Sequence, residues 1–178
     1  MNRRRMAEKI TIQRANRLGR EEFVGRFGPL YEHSPWVAEE AYLRRPFDGI
    51  DGLHDAMVTA VDAAPEARKM ALIRAHPDLA GKAAVAGELT RESTREQSSA
   101  GLDRLTPSEY EEFQRLNGAY RERFGFPLIF AVREHTKETI LAGAEERLRH
   151  SRQREVETAL AEISKIARLR LEDLVEPG

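Results

Sequence analysis

The sequence predicts an all-α fold, and three observations predict it. Apolar residues recur at three- and four-residue steps along most of the chain, which is the period of one helix face. Alternation of Val, Ile and Thr at period two, the mark of a half-buried strand, is nearly missing. Capping residues, prolines and glycines punctuate the apolar runs at helix-length intervals. The expected architecture is one compact domain of about eight helices, covering residues 19–178. Residues 1–18 are set apart as an N-terminal extension that need not be fully ordered.

Each element has a local cause. A first helix is expected over Arg20 to Gly28, with Phe23 and Phe27 at i and i+4. The stretch YEHSPWVAEEAYLRRPF restarts a helix, with Ser34 as cap and Pro35 at the first helical position. Pro46 ends it by restricting Arg45. Leu53, Met57, Ala60, Val61 and Ala64 mark a third helix. Pro65 opens a fourth, through Met70, Leu72 and Ile73. It stops at His76, because a residue before proline disfavours the α conformation. A fifth covers Thr90 to Ala100, with Gly101 as its C-terminal cap.

Thr106-Pro107-Ser108-Glu109 is a capping box with proline at the first position. The stripe that follows is Tyr110, Phe113, Leu116 or Asn117, Tyr120 and Phe124, and FGFP breaks it. LIFAV, Leu128 to Val132, reads equally as a buried strand-like segment or an extended lining loop, since periodicity does not separate the two. Thr136 caps a seventh helix through Ile140, Leu141, Ala144 and Leu148, and the last runs from Gln153 to Leu174.

Composition excludes several classes of function. Hydrophobic residues at 40% supply one core and are too many for a disordered chain. A formal charge of -1 gives no electrostatic reason to expect nucleic acid or an anionic membrane, and the NRRR run at Asn2 to Arg5 is a solvated tail. No stretch approaches the roughly 20 apolar residues of a membrane span. Cysteine is absent, so no disulfide, thiolate nucleophile or cysteine-ligated metal is available. With no secretory apolar segment after the first arginines, and no peroxisomal tripeptide at the end, a cytoplasmic protein is expected.

Three features carry chemistry. Ser93, Glu96 and Gln97 stand at i, i+3 and i+4, so a hydroxyl, a carboxylate and an amide leave one helical turn on the same side. They suit a planar polar ligand, or a solvated helix face. His76 sits where an apolar helix ends and a proline fixes the backbone, a setting that presents a proton carrier from a rigid edge. Arg170 falls on the apolar stripe of the last helix, Val156, Leu160, Ile163, Ile166, Ala167 and Leu174, whereas Arg168 lies off it and is expected in solvent. An arginine facing a core needs a partner. That partner is either an internal carboxylate or a substrate anion. Glu32, His33 and Trp36 near a helix start are read as structural, a cap with tryptophan packing, since adjacent positions cannot converge on a metal. The glycine and proline of FGFPLIF imply a fixed non-helical backbone whose N–H and C=O groups need partners in the fold or on a ligand.

Five ordered stretches, YEHSPWVAEEAYLRRPF, LIRAHPDLAG, LTRESTREQSSAGLDRLTPSE, LNGAYRERFGFPLIFAVR and ALAEISKIARLRLEDLV, together resemble the 2-oxo-4-hydroxy-4-carboxy-5-ureidoimidazoline (OHCU) decarboxylases of urate breakdown. The likeness runs from Phe23 to Val175. It departs at Leu128, where the family usually has phenylalanine after FGFP. The resemblance implies an all-helical homodimer acting on a small-molecule substrate, without cofactor or metal, that releases CO2 and forms (S)-allantoin. It implies that His76 is the proton donor and Glu96 its catalytic companion, which orients it or holds the substrate hydroxyl. Pro77, Ser93, Glu96 and Gln97 would contact substrate, as would the segment Leu128, Ile129, Phe130, Ala131 and Val132. Arg170 matches an arginine assigned to substrate as well.

Two other readings compete. A non-catalytic helical binding module would use the same polar His/Glu/Arg groups as a partner surface. A metal-dependent hydrolase would use His76 and Glu96, but the chain has no HExxH and no second well-placed histidine.

Overall fold

The computed structural model describes residues 8–81, 84 and 86–177. Among the described residues there are nine α-helices, two short 3₁₀ turns and no named strand, so the all-α expectation holds. The helices are α1 (Ile12–Arg17), α2 (Arg20–Phe27), α3 (Trp36–Tyr42), α4 (Ile50–Asp62), α5 (Glu66–Arg74), α6 (Arg91–Ser99), α7 (Pro107–Phe124), α8 (Lys137–Arg147) and α9 (Arg152–Glu172). The chain divides into two compact units, residues 8–69 with 164–177 and residues 70–163 among those described.

In the first unit, the expected N-terminal extension carries a helix of its own. Thr11 caps α1 by accepting from the Arg14 N–H, and Ile10 pairs in parallel with Val175 as an isolated bridge. Residues 1–7 lie outside the described residues. In α2, Phe23 and Phe27 meet edge to face, 4.8 Å between ring centres, and both are buried. Helix α3 corrects one expectation. Ser34 does not cap it, and its hydroxyl donates instead to the Glu32 carbonyl at 2.9 Å. Trp36 is half-buried under the Arg68 guanidinium, 4.9 Å from the ring centre. Helix α4 buries Leu53, Ala56, Met57, Ala60 and Val61, as its periodicity requires.

In the second unit, local signals set the boundaries. Thr106 and Glu109 form both bonds of the capping box at the start of α7. Gly125, at φ +79°, ends that helix in the left-handed region where a side chain would be strained. Helix α7 buries Phe113, Leu116, Asn117, Tyr120 and Phe124. Residues 126–131 adopt neither helix nor strand, so Leu128 to Ala131 of LIFAV are irregular backbone and Val132 opens a 3₁₀ turn.

The buried face of α9 differs from the expected stripe. Ile163, Ile166 and Ala167 are buried as expected, but Val156, Leu160 and Leu174 are only half-buried, and Glu155, Ala159, Glu162 and Leu171 are buried instead. Two carboxylates face inward there because each meets donors from elsewhere in the unit, as described below. Arg168 is half-buried rather than solvated and pairs with Asp51 and Glu172.

Candidate active site

His76 follows the closing turn of α5, where the Ala75 N–H donates to Ala71 O and the His76 N–H to Ile73 O. The imidazole is buried, and its Nδ1 lies 3.0 Å from the Leu72 carbonyl. A carbonyl only accepts, so Nδ1 carries a hydrogen. Proton gain and loss are thereby directed to Nε2. Pro77 is half-buried. The next residues form a tight turn in which Ala80 has φ +49°, left-handed backbone that strains a residue with a side chain.

Helix α6 starts at its Thr90 cap, whose hydroxyl accepts from the Ser93 N–H. Ser93 and Gln97 are buried, and Glu96 is half-buried. The triplet is therefore an inward face and not the solvated one that such residues usually make. Gln97 reaches back to the turn after His76. Its Oε1 accepts from the Ala80 N–H at 2.9 Å, and its Nε2 donates to the Asp78 carbonyl at 3.3 Å. One N–H and one lone pair of the amide remain for other partners.

Leu128, Ile129, Phe130, Ala131 and Val132 are all buried. Their backbone is held by charged groups that sequence reasoning missed. Arg147 donates to the Ile129 carbonyl and, at 2.9 Å, to the Glu155 carboxylate. The Ala131 N–H donates to Glu162 at 2.8 Å. Glu155 also accepts from the Tyr120 hydroxyl, and from His150 Nδ1 at 2.7 Å. Burial and this bond to Glu155 push the Tyr120 phenol well above its ordinary value. The Arg147 guanidinium lies 4.8 Å from the centre of the Phe130 ring. Helix α6 packs on the 3₁₀ turn Val132–Glu134. Three of the stretches singled out in the sequence thus come together within this unit: the turn after His76, the Ser/Glu/Gln helix and the 128–132 segment.

Arg170 belongs to the first unit. It is buried there, donates to the Glu32 carboxylate at 2.9 Å, and reaches the carbonyls of Pro29 and Leu30 at 3.4 Å. The internal carboxylate that a buried arginine needs is therefore present, and Glu32 supplies it. Among the described residues no cluster of three or more His, Cys, Asp or Glu side chains is placed to hold a metal ion.

A family model described as OHCU decarboxylase matches residues 16–172. The chain belongs to the OHCU decarboxylase family. It is 49% identical to the OHCU decarboxylase of Haloferax volcanii, over 92% of this chain and 95% of that protein. It is 47% identical to the one from Halalkalicoccus jeotgali, over 95% of this chain and 94% of that protein. Among solved structures, an (S)-allantoin synthase superposes with a TM-score of 0.74 at 33% identity, covering 94% of this chain and 54% of that one. As a decarboxylase-family chain it is an enzyme of the carboxy-lyase class.

Proposed function

We propose that the protein removes CO2 from OHCU and protonates the product on one face to give (S)-allantoin. The observation that carries the reading is His76. It is a buried imidazole with Nδ1 committed to a carbonyl, and the turn that follows it is bonded to Gln97 of the polar helix. Among the family's relatives, proteins named for this decarboxylation match the chain along nearly its whole length.

The chemistry needs little from outside the substrate. Its carboxylate sits on a carbon that also bears a hydroxyl, next to a C=N bond. When the bond to the carboxylate breaks, CO2 leaves. The electron pair forms a C=C bond, and the C=N electrons move onto nitrogen, which takes a proton. The hydroxyl proton is then lost as the carbonyl forms, and the neighbouring carbon gains a proton. The substrate is its own electron sink, so the protein's tasks are orientation, charge stabilisation and delivery of that proton.

In this reading His76 delivers the proton from Nε2 and returns to the neutral Nδ1–H form that the Leu72 carbonyl favours. Glu96 orients the imidazole or holds the substrate hydroxyl. Ser93, the remaining valences of Gln97 and Pro77 contact the ring and ureido groups, with the backbone of residues 128–132 opposite them. No cofactor or metal is called for. The family likeness extends the reading to a cytoplasmic homodimer, whose copy number light scattering reads directly.

The test is formation of optically active allantoin from freshly generated OHCU, followed by circular dichroism. The expected result is a rate above the spontaneous one and a single enantiomer, unchanged after exhaustive chelation. A racemic product at the uncatalysed rate would favour the non-catalytic binding module.

A further inference from the structure

The turn after His76 is gripped from two helices. Helix α7 presents Gln114, Asn117 and Arg121 at i, i+3 and i+7, along one side. Gln114 Nε2 donates to the Ala80 carbonyl at 2.9 Å, Asn117 Nδ2 to the Leu79 carbonyl at 2.7 Å, and Arg121 to the Asp78 carboxylate at 2.8 Å. The rungs run antiparallel, since each step along α7 moves one residue back toward His76. From α6, Gln97 takes the Ala80 N–H and gives to the Asp78 carbonyl. Both peptide groups of Ala80, the residue at φ +49°, are thus held by side chains of other elements. Strained backbone of this kind persists where its surroundings over-determine it, and it gathers at functional sites. The turn is also closed tightly, for a Cβ on Gly81 would fall 2.8 Å from Asp78 Cβ.

We propose that Gln114, Asn117 and Arg121 are positioning residues for His76. The rungs fix the chain after Pro77, while the Leu72 carbonyl fixes the ring, so the imidazole meets the reacting carbon at one distance and from one face. This rests on the reading of His76 as the proton donor. A misplacement of about 1 Å in such a group costs on the order of 100-fold in rate.

The test compares Gln114→Glu with Gln114→Lys in the full chain. The first is isosteric but replaces the donor NH2 by oxygen. The second restores an N–H donor to the Ala80 carbonyl. The expected result for Gln114→Glu is a fall in kcat of about 10- to 100-fold, with KM within about twofold and an unchanged circular dichroism spectrum. Gln114→Lys should recover most of the loss. The double variant His76→Ala/Gln114→Glu should be no slower than His76→Ala alone, because a residue acting through His76 has nothing left to act on. Losses that multiply, or a Gln114→Glu variant with wild-type kcat beside a dead His76→Ala, would overturn the proposal and leave the role of His76 standing. A His76→Ala variant with wild-type turnover would overturn both. Asn117→Asp supplies the same comparison at the buried rung if Gln114→Glu fails to fold.

Discussion

Arg170 and Glu32 form a buried ion pair, 2.9 Å between Nη2 and the carboxylate, with 5% and 1% of their side chains exposed. Removing the cation takes away the guanidinium that offsets the charge of a carboxylate held out of water. Arg170→Met is therefore expected to lose about 3–5 kcal/mol of stability in urea unfolding. The double variant Arg170→Met/Glu32→Leu should recover most of it, since apolar replacement of a whole buried pair is close to neutral. KM measured in that stabilised double variant separates the two roles of Arg170. A wild-type value confines it to the ion pair, and a raised one adds a hold on the substrate anion.

His76→Ala should remove most catalysis in a protein that remains folded, at about 10²–10⁴-fold. Glu96→Ala should be comparably severe if the two groups act as a unit, and the double variant then little worse than either. Initial rates of allantoin formation decide the matter, with circular dichroism as the folding control.

Gly143 bears on the segment next to it. A Cβ there would meet Phe130 Cζ at 2.9 Å and Cε1 at 3.1 Å. The ring cannot simply move aside, with the His135 ring centre 5.2 Å from its own in an edge-to-face contact and the Arg147 guanidinium over it. Gly143→Ala gains about 1 kcal/mol of helix propensity and is charged about 1–3 kcal/mol for overpacking. The expected outcome is a lower Tm and an altered KM. A higher Tm with KM unchanged would show that the ring yields freely.

The α7 capping box carries a pH dependence of known sign. The Lys137 ammonium, 2.7 Å away, and then the Thr106 N–H hold the Glu109 carboxyl below the usual carboxylate range. A carboxyl with a depressed folded value contributes stability that is present above its unfolded value, about 4.3, and is lost as pH falls through the folded value. Glu109→Gln keeps a side chain that still serves a capping box and removes only the charge. Its Tm should lie slightly below wild type at neutral pH, and the gap should close in acid. A gap that is the same at both ends of the titration would rule out the carboxylate as its source.

What the sequence revealed was what local chemistry decides. The capping box of Thr106 and Glu109, the Gly125 stop and the Phe23–Phe27 pair each depend on residues within one or two turns. The rest depends on partners far along the chain. The inward face of α9 departs from the periodic stripe because Glu155 and Glu162 are buried against Arg147 and the Ala131 N–H. Periodicity scores both carboxylates as outward. The Ser34 cap failed for a related reason, since the hydroxyl found the Glu32 carbonyl first. At the candidate site, the motif positions were visible, and the groups that hold them were largely not. One signal was present. Asn117 is a polar residue on the apolar stripe of α7, as Arg170 is on α9, and each proves to be engaged with a distant partner.

All but one of the bonds that grip the turn after His76 fall on main-chain atoms of Asp78, Leu79 and Ala80. The shape of the turn is thus written in Gln97, Gln114 and Asn117 and hardly in the side chains of the turn itself. HPDLAG is therefore not a portable module. Transplanted into another scaffold it would carry the histidine but not its aim, and a designer who wants the histidine aimed would have to move two helices with it.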